Sequence, residues 1–165
     1  MPQTTYLIGE IGQNHNGSVE IAKLIVDVAA RPVVDGMFGH VLRGMDAIKL
    51  TKRDLTHELT ASAYNKIYDS PHAFGNTYGE HRQALELSYE EHLEIYKYSK
   101  EKGLDVVETL CSPSCLKITN YFTPDKLKVA SRDLTNLPLL AALAETRIPI
   151  ILSTGMAGKA ELYQA

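Results

Sequence analysis

Long apolar runs, paired cysteines and a strong charge bias are all missing from this chain. No run approaches the roughly 18 apolar residues of a spanning helix, so no membrane is expected. Cys111 and Cys115 are the only cysteines. A C-x3-C spacing without a second pair is a poor zinc pattern and no disulfide framework, so two reduced, partly buried thiols are expected. The start, MPQTTYLIGEIGQ, lacks a basic region followed by a long apolar core, so no signal peptide is read there. Together these absences predict a cytoplasmic protein. A formal charge of −3 gives no general pull toward nucleic acid or an anionic membrane. Positive charge for an anionic ligand must therefore be local. His15, His40, His57, His72, His81 and His92 lack metal-ligand spacing such as HExxH, so no complete metal site is expected in this chain.

With 44% hydrophobic and 22% charged residues the composition is globular, and 165 residues suffice for one domain with a real core. Short apolar runs alternate with helical patterns. Residues 6–11 read as a first strand. Asn14-His15-Asn16-Gly17-Ser18 is a turn, with Ser18 placed as a helix N-cap. Ile21, Leu24, Ile25 and Val28 recur at helical spacing until Pro32 stops the helix. Residues 33–44 hold three glycines and no period, and read as a loop longer than such a connection needs. Residues 46–50 form a second strand. Residues 51–87 are polar and rich in turn formers, the pattern of a long functional loop.

The alternation then resumes. Ser88-Tyr89-Glu90-Glu91 is a capping box, Tyr89, Leu93 and Tyr96 share a helix face, and Gly103 closes that helix. Residues 105–109 are a third strand, and Ser112-Pro113 opens a short helix with proline in its first turn. Residues 126–130 form a fourth strand. Asn136 caps a helix running through Leu143, residues 149–153 form a fifth strand, and another helix begins near Lys159. Five strands, each followed by a helix or its start, predict a parallel α/β fold. An open sheet and a barrel share this pattern.

Ligands of parallel α/β folds gather at the carboxyl ends of the strands. Lys128, Ser131, Ser153 and Gly155 stand at the ends of the fourth and fifth strands and would face one shared pocket. One positive charge among several hydrogen-bond donors makes a place for an anion. Lys49 repeats the arrangement on the second strand, with Ile48 and Leu50 on the other face. A lysine in a buried-strand pattern is rare unless paired or functional. Two such lysines can neutralise a phosphate or carboxylate; the alternative is internal pairing with Glu10, Glu108 or Asp133. Glu10, inside the first apolar run, is a candidate acid or base, or a partner for a lysine. Thr109, Ser131 and Ser153 offer hydroxyls to a ligand or caps to a helix, and Gly155 admits close backbone approach. Asn14 and His15 lie in a polar turn that either touches a ligand or serves turn geometry alone. Arg132 and Asp133 can pair locally.

GEIGQNHNGS at 9–18, KVAS at 128–131 and ILSTGM at 151–156, in this order, resemble the sialic acid synthase family from residue 8 to about residue 160. The resemblance implies a TIM (β/α)8-type barrel. Such a barrel takes about 250 residues, so residues 1–165 would be its amino-terminal part, about the first five β/α units. The carboxy-terminal barrel half and an antifreeze-like domain would be absent, leaving a fragment or a truncated form. The implied activity condenses phosphoenolpyruvate with an N-acylated amino sugar, such as N-acetylmannosamine, to a nonulosonic acid plus phosphate. Glu10, Lys49 and Lys128 would be catalytic; Asn14, His15, Thr109, Ser131, Ser153 and Gly155 would bind substrate. The family also implies a divalent metal, Mn2+ or Mg2+, held by histidines of later strands outside this chain, and a homo-oligomer in which a partner contributes to the sugar site.

Departures from the family pattern cluster beside these positions. An STPF-like run is here Glu108-Thr109-Leu110-Cys111-Ser112, KFQ is Lys49-Leu50-Thr51, and SGE or SGD is Ser131-Arg132-Asp133. The lysines stay in place, and a divergent subfamily is expected. Two alternatives remain: another phosphoenolpyruvate-condensing 3-deoxy sugar acid synthase, or a non-catalytic half-barrel that pairs with another half.

Overall fold

Five strands run parallel in the computed structural model, which describes residues 5–165. They are β1 (Ile8–Gly12), β4 (Ala47–Lys52), β5 (Asp105–Leu110), β6 (Lys126–Val129) and β7 (Ile150–Leu152). Their spatial order β1-β4-β5-β6-β7 follows the chain. A doubly wound sheet reverses its order at a switch point; this one advances steadily, as the first five strands of a barrel do. The segment read as free of a signal peptide begins in residues 1–4, which lie outside the described residues. Among the described residues no helix is long and apolar enough to cross a membrane.

Helices cover one side of this arc, and their ends follow local chemistry. Ser18 caps α1 (Val19–Ala30) by accepting from the Ile21 N–H. Arg31, forced extended by the following Pro32, ends it. The helix forms as its spacing predicts, but its inward stripe is Val19, Ala22 and Val26, while Ile21, Leu24 and Val28 point outward. Apolar residues surround much of this helix, so spacing alone does not choose the face. Small Ala29 is the closer fit to β1: a Cβ on Gly9 would meet its methyl at 3.7 Å.

The Ser88 box caps α5 (Tyr89–Glu101), and Gly103 closes it at φ +76°, a left-handed conformation that glycine adopts without steric cost. Pro113 opens a 3-10 helix over Pro113–Asn120. Asn136 caps α6 (Leu137–Glu145), and the last helix is α7 (Lys159–Gln164).

Two segments differ from expectation. Residues 33–44 contain an antiparallel hairpin of β2 (Val33–Val34) and β3 (Val41–Leu42) rather than an unstructured loop. Two-residue strands are too short to display a period. The stretch 51–87 contains the end of β4 and three helices: α2 (Leu55–Glu58), α3 (Ala61–Tyr64) and α4 (Tyr78–Ala84). Asp54, Thr60 and Thr77 cap them. The same Asp and Thr side chains serve turns and caps, which is why the segment reads as irregular.

The polar turn after β1 folds inward. Gly17, at φ +76°, lies so close to the Ala84 carbonyl of α4 that a Cβ would collide with it. His15 is 1% exposed. Its Nδ1 accepts the Gly17 N–H at 3.1 Å, and its Nε2 has no partner among the described residues.

Burial, reinforced by His92, holds the His15 pKa down to about 4. The unfolded chain, with an ordinary histidine near 6.5, therefore binds more protons below that pH. Stability is full above about pH 6.5 and falls by up to about 3 kcal/mol as His15 is forced to protonate. The urea midpoint of the chain should fall between pH 6.5 and 4, and His15→Gln should flatten that slope. An unchanged slope in the variant would assign the effect elsewhere.

Candidate active site on the concave face of the sheet

Parallel register sorts the strand residues onto two faces. Glu10 pairs with Lys49, Lys49 with Val107, and Val107 with Lys126. One step toward the carboxyl ends, Thr51 pairs with Thr109, Thr109 with Lys128, and Lys128 with Ile151. Register partners share a face, so these residues line the concave side, away from the helices. The other side holds Ile48, Leu50 and Val106 against α1 and α5, and Leu127 and Val129 against α6.

The concave face therefore carries Glu10, Lys49, Thr109 and Lys128 together. The side chain of Lys49 is only 5% exposed and is held by Glu10 at 2.5 Å and by Thr51 Oγ1 at 3.2 Å. The Glu10 side chain remains 65% exposed, so one carboxylate both balances a buried cation and faces open space. Lys128 is half-buried on the same face, in register with Thr109. The Thr109 hydroxyl is buried with no hydrogen-bond partner among the described residues. Such an orphan costs about 1–3 kcal/mol unless a ligand satisfies it.

Ser131 opens a 3-10 turn after β6, Ser131–Asp133, and Gly155 follows β7. A Cβ on Gly155 would lie 3.5 Å from Ser131 Oγ, so these strand ends converge. The Ser153 N–H donates to the Val129 carbonyl at 3.1 Å, which continues the β6–β7 ladder. The expected pocket is an open face rather than an enclosure, because a five-strand arc has no opposing wall. Better-formed clefts flank it and are lined by other residues.

Two candidates lie apart from this face. His15 is packed beneath its turn, as described above. Asn14 is exposed and lines a cleft of about 550 Å3 between that turn, residues 71–74 and α4.

Glu108, a possible partner for the lysines in the sequence reading, points to the helix side. There its Oε1 hydrogen-bonds His92 Nδ1 at 2.9 Å, with both residues fully buried. Arg132 and Asp133 do pair, at 3.2 Å.

Several ionic groups escaped the sequence reading. Glu58 binds both Arg53 at 2.7 Å and Arg132 at 2.9 Å, tying α2 to the end of β6. This bridge lines a second cleft, of about 370 Å3, with Cys111 and Asp133. Burial pushes the Cys111 thiol up to about 11, so it is no nucleophile at neutral pH. Lys52 is buried on the helix side, where it pairs with Glu86 at 3.2 Å and donates to the Leu87 carbonyl at 2.7 Å. A signal for Lys52 existed: it alternates in phase with Ile48 and Leu50, so a buried carboxylate had to meet it.

The sequence pattern described as the NeuB family matches residues 40–165. The chain is 35% identical over 153 residues to the N-acetylneuraminate-9-phosphate synthase of Drosophila melanogaster, spanning 93% of this chain and 38% of that protein. It is 29% identical to the N,N'-diacetyllegionaminic acid synthase of Legionella pneumophila, spanning 98% of this chain and 43% of that one. The solved N-acetylneuraminic acid (sialic acid) synthetase of Leptospira borgpetersenii shares the fold at TM-score 0.71 and 24% identity, over 98% of this chain and 48% of that one. The chain thus spans less than half the length of these relatives. Matched by the family pattern along most of its length, the chain belongs to the NeuB family.

Proposed function

We propose that this chain is the phosphoenolpyruvate-holding part of a transferase. The enzyme condenses that compound with an N-acylated amino sugar to give a nonulosonic acid and phosphate. One observation carries the reading: Lys49, Thr109 and Lys128 share the concave face at the strand ends, and the buried Thr109 hydroxyl waits for an acceptor. Family membership and the names of the curated relatives support it. The chain supplies the first five β/α units of a barrel that later strands close, within a cytoplasmic homo-oligomer.

In the reaction, C3 of phosphoenolpyruvate bonds to the aldehyde carbon of the open-chain sugar. Water adds at C2, and phosphate leaves with cleavage of its C–O bond. The two lysines hold the substrate's phosphate and carboxylate and balance the charge that develops. Thr109 and Ser131 donate hydroxyl hydrogens to the same anion. Glu10 pairs with Lys49 while the site is empty, and it faces the space a sugar hydroxyl would enter.

The expected Mn2+ or Mg2+ does not fit the residues present. Among the described residues no group of three or more His, Cys, Asp or Glu is placed to hold a metal ion.

Two substitutions test this assignment by calorimetric titration with phosphoenolpyruvate. Lys128→Ala should weaken binding at least about tenfold, or about 1.4 kcal/mol. In the complete enzyme it should lower kcat/KM by a similar factor. Thr109→Val should weaken phosphoenolpyruvate binding while raising the urea midpoint of the unliganded chain, because it replaces an unsatisfied buried hydroxyl with a methyl group. A folded chain that binds phosphoenolpyruvate equally well in all three forms overturns the assignment.

A further inference from the structure

The hairpin of β2 and β3 stands outside both the parallel sheet and the helix layer. It connects α1 to β4, so it lies at the amino ends of the strands, opposite the candidate site. Its stem is held in place. Arg43 donates to Asp46 and to the Thr5 carbonyl, and the Met45 N–H donates to the Ala29 carbonyl at 2.8 Å. A Cβ on Gly44 would collide with the Ala30 carbonyl at the end of α1.

This anchored ribbon is bare. Val33, Val34, Met37, Phe38, Val41 and Leu42 are each between 57% and 81% exposed. Successive strand residues alternate faces, so apolar side chains project from both sides of the ribbon. Together they present on the order of 700 Å2 of mostly apolar surface, beyond the roughly 300–600 Å2 of the largest patch on a typical monomer. That is close to the roughly 800 Å2 each partner contributes to a standard stable interface. Asp35 is the only acid between residues 33 and 42, and no lysine or arginine lies there. Two identical patches can therefore meet with little like-charge repulsion. The basic residues of a membrane-seeking surface are missing from the ribbon.

The backbone selects the contact. The Asp35 N–H donates to the His40 carbonyl at 2.8 Å, so that pair directs its ladder groups inward. Antiparallel ladders alternate, and Val34 and Val41, the next pair, turn their N–H and C=O groups to the two outer edges. On the β2 edge the next outward position is Pro32, which has no N–H. On the β3 edge it is Arg43, whose N–H is intact. The β3 edge thus lacks the proline or lysine with which natural edge strands block pairing. A two-stranded hairpin is marginal alone, and three or more strands make a stable sheet.

We infer that β3 pairs antiparallel with β3 of a second copy of this chain, giving a four-stranded sheet about a two-fold axis. An antiparallel pair of identical strands is self-complementary, as a two-fold interface requires. The contact lies at the opposite end of the strands from the candidate site and does not depend on the phosphoenolpyruvate reading.

Sedimentation equilibrium of the 165-residue chain tests this, with urea midpoints to show that each variant is folded. Wild type should fit a dimer, twice the 18.3 kDa mass of one chain. Val41→Pro removes an outward N–H, and Val41→Lys sets a charge on the same edge. Each should raise the dimer dissociation constant at least about tenfold. Val34→Pro alters the β2 edge and should leave that constant unchanged. A wild type that stays monomeric at every concentration overturns the inference; if that monomer floats with phosphatidylcholine vesicles, the patch belongs to lipid. A dimer retained in both Val41 variants also overturns it and assigns association to the open edges of β1 and β7. Equal weakening by Val34→Pro overturns the choice of the β3 edge.

Discussion

The parallel register of β4 against β5 is the constraint on which the site depends. It aligns Lys49 with Val107 and Thr51 with Thr109, and β6 then brings Lys128 beside Thr109. Because side chains alternate along a strand, this register decides every neighbour at once. A slip of one residue would turn Lys49 and Thr109 into the apolar layer and bring Leu50 and Glu108 to the open face. The apolar layer resists such a slip, since Ile48, Leu50 and Val106 are fully buried against α1 and α5. Folding energy and site geometry are therefore two results of one alternation.

The same alternation forces charges into costly places, and the chain meets each with a partner. Lys49 on one face is held by Glu10, and Lys52 on the other by Glu86 and the Leu87 carbonyl. Glu108 falls in the helix-facing layer and is met by His92. Removing one partner from such a pair leaves an uncompensated buried charge, which costs more than the pair contributes. These pairs also divide the cations by availability. Lys52 is fully engaged, Lys49 is balanced by a carboxylate that is itself exposed, and Arg82 is screened from Glu86 by the Gln13 amide. Net charge conceals this division: a chain at −3 still presents local cations.

Much of the organisation was legible in the sequence because it is local. Ser18, Ser88 and Asn136 cap helices where their spacing predicts, and Gly103 ends α5. Lys49 stands out as a charge in an apolar run, and it does lie opposite Ile48 and Leu50. The hairpin at residues 33–42 and the helices α2 and α3 were not legible, because elements of two to four residues carry no period. The inward face of α1 was not legible for a related reason. Its apolar residues spread around the helix, and contact with β1 selects Val19, Ala22 and Val26.

Composition and periodicity suffice for the parallel α/β class, the five strands and the residue types at their ends, because those features arise within a few neighbouring residues. They do not suffice for partnership, which joins positions far apart in the chain. Glu108 was a plausible mate for a lysine until the sheet turned it toward His92. His15 was open to either ligand contact or turn geometry, and only the packing of its turn against α4 shows it buried. Arg82 attracted no notice in a polar stretch until folding set it beside Gln13, across a cleft from Asn14. Local sequence chooses which side chains stand at the strand ends. Only the packing of distant segments decides which of them meet, which are neutralised and which remain free to bind.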